Sequence, residues 1–251
     1  MKEPVLHQFK QSKNAIAVLI DPEKCDNGAH TLDLLEKSKF AGVDFIFIGG
    51  STVTRKEFNA TIHFIKSNTS IPVIIFPGSS QQISEKADAI LYLSLLSGRN
   101  PDFLIGHHVQ SAAELFEMEL EIIPTAYLLI DGGTQSSVAY VSQTTPIPRD
   151  NSTIIRNTAI AGKLQGKQLL YLDAGSGARF SVPAERIKEL TTIDLPIIVG
   201  GGITTIEQIE ELHQAGTNIV VIGNKLEQDT DFLLDIYAYK KVDQSKLTIE
   251  E

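Results

Sequence analysis

Eight short apolar runs, each followed by a stretch with helical periodicity, predict an α/β fold for this chain, and more narrowly a single-domain (β/α)8 TIM barrel. Two further observations support closure. The runs are apolar on both faces, as parallel strands covered by helices must be, and turn residues cluster just after them, so the loops open on one face. An open doubly wound sheet is the alternative. The G-x-G-x-x-G signature expected after its first strand is missing here.

The elements follow in order. AIAVLI at 15–20 ends at the rigid Asp21-Pro22 exit and precedes a helix over 28–40. VDFIFI at 43–48 runs into Gly49-Gly50-Ser51 and a helix over 54–67; PVIIF at 72–76 stops at Pro77-Gly78-Ser79 before a helix over 80–86. AILYLS at 89–94 leads to a helix over 108–120, and TAYLLI at 125–130 to Asp131-Gly132-Gly133 and a helix over 152–165. QLLYL at 168–172 gives way to Asp173-Ala174-Gly175-Ser176-Gly177, with a helix over 183–190. PIIV at 196–199 precedes Gly200-Gly201-Gly202 and a helix over 204–215, and NIVVI at 218–222 precedes Gly223-Asn224 and a helix over 226–239.

Composition narrows the function. The chain has 251 residues, 42% of them hydrophobic, enough for one large core. Twenty-two basic against 31 acidic side chains leave a net charge of −9 with no basic block, which argues against a nucleic-acid surface. The one cysteine, Cys25, excludes an internal disulfide framework and points to a reducing, cytoplasmic setting. The N-terminus lacks the apolar core of a signal peptide, and no run approaches the ~20 apolar residues that cross a bilayer.

Three glycine-rich loops after consecutive strands six, seven and eight are the strongest chemical signal. Bare backbone N–H groups beside a helix N-terminus suit a phosphate, and barrels often bind one at strands seven and eight. A phosphorylated small molecule is the expected ligand, with Thr204 or Thr205 opening the helix after strand seven and Asn224 contributing a side chain. Three ordinary strand-to-helix turns are the bland alternative. Asp173, at the head of the first of these loops, offers a carboxylate for chemistry or merely caps a turn. Across the mouth, Asp21 with the Ser51 hydroxyl suits Mg²⁺, which needs few protein oxygens when waters and phosphates complete its shell. The six histidines show no zinc spacing; His107 and His108 either line a substrate site or cap a helix. Arg99, after strand four, is a candidate diphosphate contact or a solvent-exposed arginine.

Read in order, LIDPEK, FIGGST, EIIPTAYLLID, YLDAGSGA, IIVGGGI and VIGN resemble the geranylgeranylglyceryl phosphate synthase family, including its bacterial PcrB-like relatives, over about residues 10–240. The resemblance implies a prenyltransferase that joins sn-glycerol 1-phosphate to a long prenyl diphosphate, such as geranylgeranyl diphosphate, through an ether bond with Mg²⁺. It places the glycerol-phosphate site on Tyr171, Leu172, Asp173, Ala174, Gly175, Ser176, Gly177, Gly201, Gly202, Gly223 and Asn224, and the metal on Asp21 and Ser51. Asp173 is then the catalytic residue, as the base for the glycerol hydroxyl or as the group that orients it. A homo-oligomer, dimer or hexamer, is implied too, with Tyr140 as the candidate aromatic anchor, together with peripheral membrane contact for a lipid product. The chain departs from the family at Leu19, where some bacterial members carry lysine, which sets it nearer the archaeal-type branch. It departs again at Asp173, one methylene shorter than the frequent glutamate.

Overall fold

The structure, a computed structural model of the chain, describes residues 3–50 and 52–247. Eight parallel strands pair in sequence order: β1 (Ala15–Ile20), β2 (Phe45–Ile48), β3 (Val73–Ile75), β4 (Ala89–Leu95), β5 (Glu121–Leu129), β6 (Leu169–Asp173), β7 (Ile197–Gly200) and β8 (Ile219–Ile222). β8 returns to β1 through Ala15↔Ile219 to Val18↔Ile222, closing the barrel and eliminating the open sheet. The helices are α1 (Val5–Gln11), α2 (Ala29–Phe40), α3 (Arg55–Asn68), α4 (His107–Phe116), α5 (Ser137–Ser142), α6 (Ser152–Leu164), α7 (Ala184–Leu190), α8 (Ile206–Gln214), α9 (Asn224–Gln228) and α10 (Phe232–Leu247).

Alternation along each strand divides the core in two. Leu170 and Leu172 of β6 point out to the helices, with Ile46, Ile48 and Val199 in the same layer. Leu169 and Tyr171 point into the barrel with Phe45, Phe47, Ile198 and Val221. The floor of that interior is α1, which the periodicity does not announce. Phe9 is fully buried and meets the Phe45 ring edge-on, 4.9 Å between centroids. Glu121 caps α1 by accepting the N–H groups of Val5 at 2.6 Å and Leu6 at 2.9 Å. β5 begins at Glu121 rather than at the expected residue 125, because its ladder with β4 starts at Ala89↔Glu121. Pro124, which has no N–H to give, still contributes its carbonyl to the ladder, accepting Gln168 N–H at 2.7 Å just ahead of the start of β6.

Two expected helices differ. Residues 80–86 form no helix. The fully buried Gln82 side chain instead ties the loops together, accepting Gly78 N–H at 2.8 Å and donating to the Gly50 carbonyl at 2.7 Å. The helix expected over 226–239 is split into α9 and α10, because Asp229 accepts Asp231 N–H at 3.1 Å in a local turn that interrupts the helical ladder. Upstream of α4, a π-helical turn over Asp102–Gly106 carries the chain in.

Candidate active site

Asp173 is the last residue of β6 and, being two positions beyond Tyr171, points inward. Its Oδ2 accepts the Tyr127 hydroxyl at 2.5 Å and its Oδ1 accepts Gly175 N–H at 2.8 Å. Burial pushes its carboxyl above the usual range, while the bonds from Tyr127 and Gly175 oppose the rise. Burial also holds the Tyr127 and Tyr171 hydroxyls well above theirs, so both remain protonated donors. Phe76 packs on both tyrosines, stacked on Tyr171 at 4.9 Å and edge-on to Tyr127 at 5.7 Å.

Gly201 explains the glycine requirement beside this group. It sits at φ +85°, and a Cβ there would lie 2.7 Å from Gly175 N and 2.8 Å from Asp173 Oδ1. Any side chain would drive the two loops apart. The third loop is tied in by Asn224, whose Oδ1 accepts the Ser176 hydroxyl at 3.0 Å and Gly177 N–H at 2.9 Å. Its Nδ2 donates to Glu227 at 3.2 Å. Thr205, rather than Thr204, caps α8 through a reciprocal bond with Gln208, and Thr204 faces the cavity.

Asp21 follows directly on β1 and caps a short 3₁₀ turn over Pro22–Lys24, its Oδ1 accepting Glu23 N–H at 3.1 Å. Burial raises its carboxyl, against the lowering effects of Glu23 N–H and Lys24. The backbone at Gly50 presses close: a Cβ there would fall 2.5 Å from Asp21 Oδ1.

One cavity of about 970 Å³ joins these groups at the C-terminal mouth. Of the expected site residues, Asp21, Tyr171, Asp173, Ser176, Gly177, Gly201, Gly202, Gly223 and Asn224 line it. Ser51 lies outside the described residues. Four of the expected site residues do not line the cavity. Leu172 and Ala174 belong to the outer layer, because strand alternation turns them away. Gly175 does not line the cavity, and its N–H serves Asp173. Arg99 is exposed and folds back onto its own turn, donating to the carbonyls of Leu96 at 3.2 Å and Gly98 at 2.6 Å. Both His107 and His108 line the cavity, and His108 bonds the Leu93 carbonyl at 2.7 Å.

The cavity does not stop at the barrel interior. Ile90 and Tyr92, on the outer face of β4, line it together with Ile83 and Leu115, so an apolar channel runs out where the helix after β3 is missing. The sequence reading missed this channel, together with Tyr127 and Phe76. Alternation within TAYLLI carries a signal for Tyr127, but its register opposite Tyr171 is a tertiary fact.

A closed parallel barrel with glycine loops at strands six to eight, a buried carboxylate at its centre and an apolar outlet defines an enzyme-like phosphate-binding barrel. The chain belongs to the PcrB family, whose model matches residues 7–241. It is 47% identical to a protein of Zunongwangia profunda named geranylgeranylglyceryl phosphate synthase over 228 residues, covering 90% of this chain and 96% of the relative. A protein of Spirosoma linguale with the same name is 47% identical, covering 91% and 92%. The crystal structure of (S)-3-O-geranylgeranylglyceryl phosphate synthase from Thermoplasma acidophilum, in complex with its substrate sn-glycerol-1-phosphate, superposes with a TM-score of 0.87. Its identity to this chain is 35%, and the match covers 94% of this chain and 96% of that one.

Proposed function

We propose that this chain is a prenyltransferase that forms an ether bond between sn-glycerol 1-phosphate and a long-chain prenyl diphosphate, geranylgeranyl diphosphate as the names of its relatives indicate, releasing diphosphate. One observation carries the reading. A single cavity runs from the glycine loops, past the Asp173 carboxylate, into the apolar channel beside β4, so a phosphate and a long hydrocarbon chain fit on either side of one candidate base. Ser176, Gly177, Gly201, Gly202, Gly223 and Asn224 cradle the phosphate of the glycerol substrate, and Tyr171 borders its carbon chain.

Asp173, held in one orientation by Tyr127 and Gly175, receives the proton of the glycerol hydroxyl. The freed oxygen attacks the allylic carbon while the carbon–oxygen bond to diphosphate breaks, its electron pair leaving with the diphosphate. Fixed loops on one side and a channel on the other hold the two reacting atoms together. Magnesium, when bound, neutralises the charge that grows on the departing diphosphate. The residues fit such an ion: Asp21 is one carboxylate at the mouth, its charge countered only in part by Lys24. Among the described residues no group of three or more His, Cys, Asp or Glu could hold a metal by itself, so substrate oxygens and water must complete the shell.

In this reading the enzyme works in the cytoplasm, in keeping with its free Cys25 thiol. Among the described residues no helix is long and apolar enough to cross a membrane, and the lipid product calls for peripheral membrane contact. The enzyme forms a homo-oligomer anchored by Tyr140, which is 75% exposed on α5. Incubation with labelled glycerol 1-phosphate, Mg²⁺ and geranylgeranyl diphosphate tests the activity. A butanol-extractable labelled product is expected, and its absence refutes the reading.

A further inference from the structure

With Arg99 turned away, the diphosphate needs another cation. Among the described residues the cavity lining holds two lysines, Lys24 and Lys225, against the carboxylates of Asp21, Glu23, Asp173 and Glu227. Lys225 is engaged within its own segment: it pairs with Asp229 at 2.9 Å and lies over the Phe232 ring at 5.3 Å. Lys24 stands on the 3₁₀ turn capped by Asp21, so the backbone that fixes the candidate metal carboxylate also fixes this ammonium. Its partner is Glu227, at 2.7 Å across the mouth, and the lysine side chain is half exposed. A pair in that setting is weak and exchangeable.

We propose that Lys24 binds the prenyl diphosphate, exchanging Glu227 for the diphosphate oxygens when substrate enters. This rests on the prenyltransferase reading and names a residue for its leaving-group side. Three observations support the exchange. The ammonium stands on the same turn as Asp21, the candidate metal carboxylate. A diphosphate carries more negative charge than Glu227 and competes for the lysine with several oxygens. Glu227 keeps a second donor, Asn224, when Lys24 leaves it. The same carboxylate therefore touches the diphosphate side through Lys24 and the glycerol-phosphate side through Asn224, which in turn holds Ser176 and Gly177.

The test is titration calorimetry of the full chain with inorganic pyrophosphate in the presence of Mg²⁺, and separately with glycerol 1-phosphate. Lys24→Met is expected to weaken pyrophosphate binding at least about 10-fold, the effect of losing a hydrogen bond to a charged group, and to raise the KM for prenyl diphosphate similarly. Glycerol 1-phosphate affinity should change less than about twofold, and Lys24→Arg should restore most of the loss. Glu227→Gln, which removes the competitor and keeps the lysine, is expected to tighten pyrophosphate binding. Unchanged pyrophosphate affinity in Lys24→Met overturns the assignment. So does equal weakening of both ligands, or a Glu227→Gln variant as weak as Lys24→Met, since either result makes the pair a structural brace. A wild-type chain that makes labelled product while Lys24→Met binds normally sinks the lysine alone. A wild-type chain that neither binds pyrophosphate nor makes product sinks the prenyltransferase reading with it.

Discussion

Replacing Tyr127 by Phe removes one oxygen and one of the two hydrogen bonds that Asp173 accepts inside the barrel. A hydrogen bond to a charged group contributes about 1.5–3 kcal/mol. The carboxylate of Asp173 is already held above its ordinary range by burial, and the Tyr127 bond lowers it; without that bond it rises further. The acid limb of the rate profile is therefore expected to move to higher pH. Stability follows the same sign. A carboxyl whose folded value lies above its unfolded value favours folding when protonated, and that advantage is lost as pH rises through the folded value. The Tyr127→Phe deficit is therefore expected to be largest at pH 8, about 1.5–3 kcal/mol, or ~3–12 °C in Tm for a chain of this size. It should fade as pH falls through the raised folded value, where the native carboxyl takes up its proton and no longer needs the Tyr127 bond. Urea unfolding at pH 8 and pH 4, with kcat measured across the range, checks both arms. An equal loss at the two pH values with an unmoved acid limb refutes the coupling and leaves only a packing defect.

Other outcomes follow from the same geometry. Asp173→Asn is expected to lower kcat by roughly 10²-fold or more while leaving the KM for glycerol 1-phosphate within a few-fold, read from steady-state kinetics with both substrates varied. Asp21→Asn is expected to keep the fold and lose most activity, with a higher Mg²⁺ requirement in a metal titration; unchanged metal dependence counts against the site. Tyr140→Ala, at an exposed position, is expected to shift stability by less than ~0.5 kcal/mol yet reduce the assembly seen by light scattering. Phe9→Ala is expected to cost about 3–5 kcal/mol in urea unfolding, because α1 floors the barrel with that ring.

The sequence by itself determined a parallel, helix-covered sheet of eight strands and favoured its closure, which the β8–β1 pairing then decided. Eight apolar runs, unpatterned because both their faces are buried, could only pair in parallel under helices, and six of the expected helices stand near their expected positions. It also marked the phosphate loops, since glycine at three consecutive strand ends is a local backbone requirement visible in a string of letters. Tertiary structure decided the rest. Whether Leu172 or Tyr171 faces the interior depends on strand phase, and adjacency along the chain put both in the candidate set although alternation admits only one. Residues 80–86 have helical spacing but meet Gly50 and Gly78 through Gln82, and a buried amide with two partners outweighs a short, weak helix. Tyr127 is 46 residues from Asp173, and Lys24 is 203 from Glu227. Such pairs are set by barrel register and closure, which bring distant strand ends to one mouth, and no local pattern in the chain encodes them.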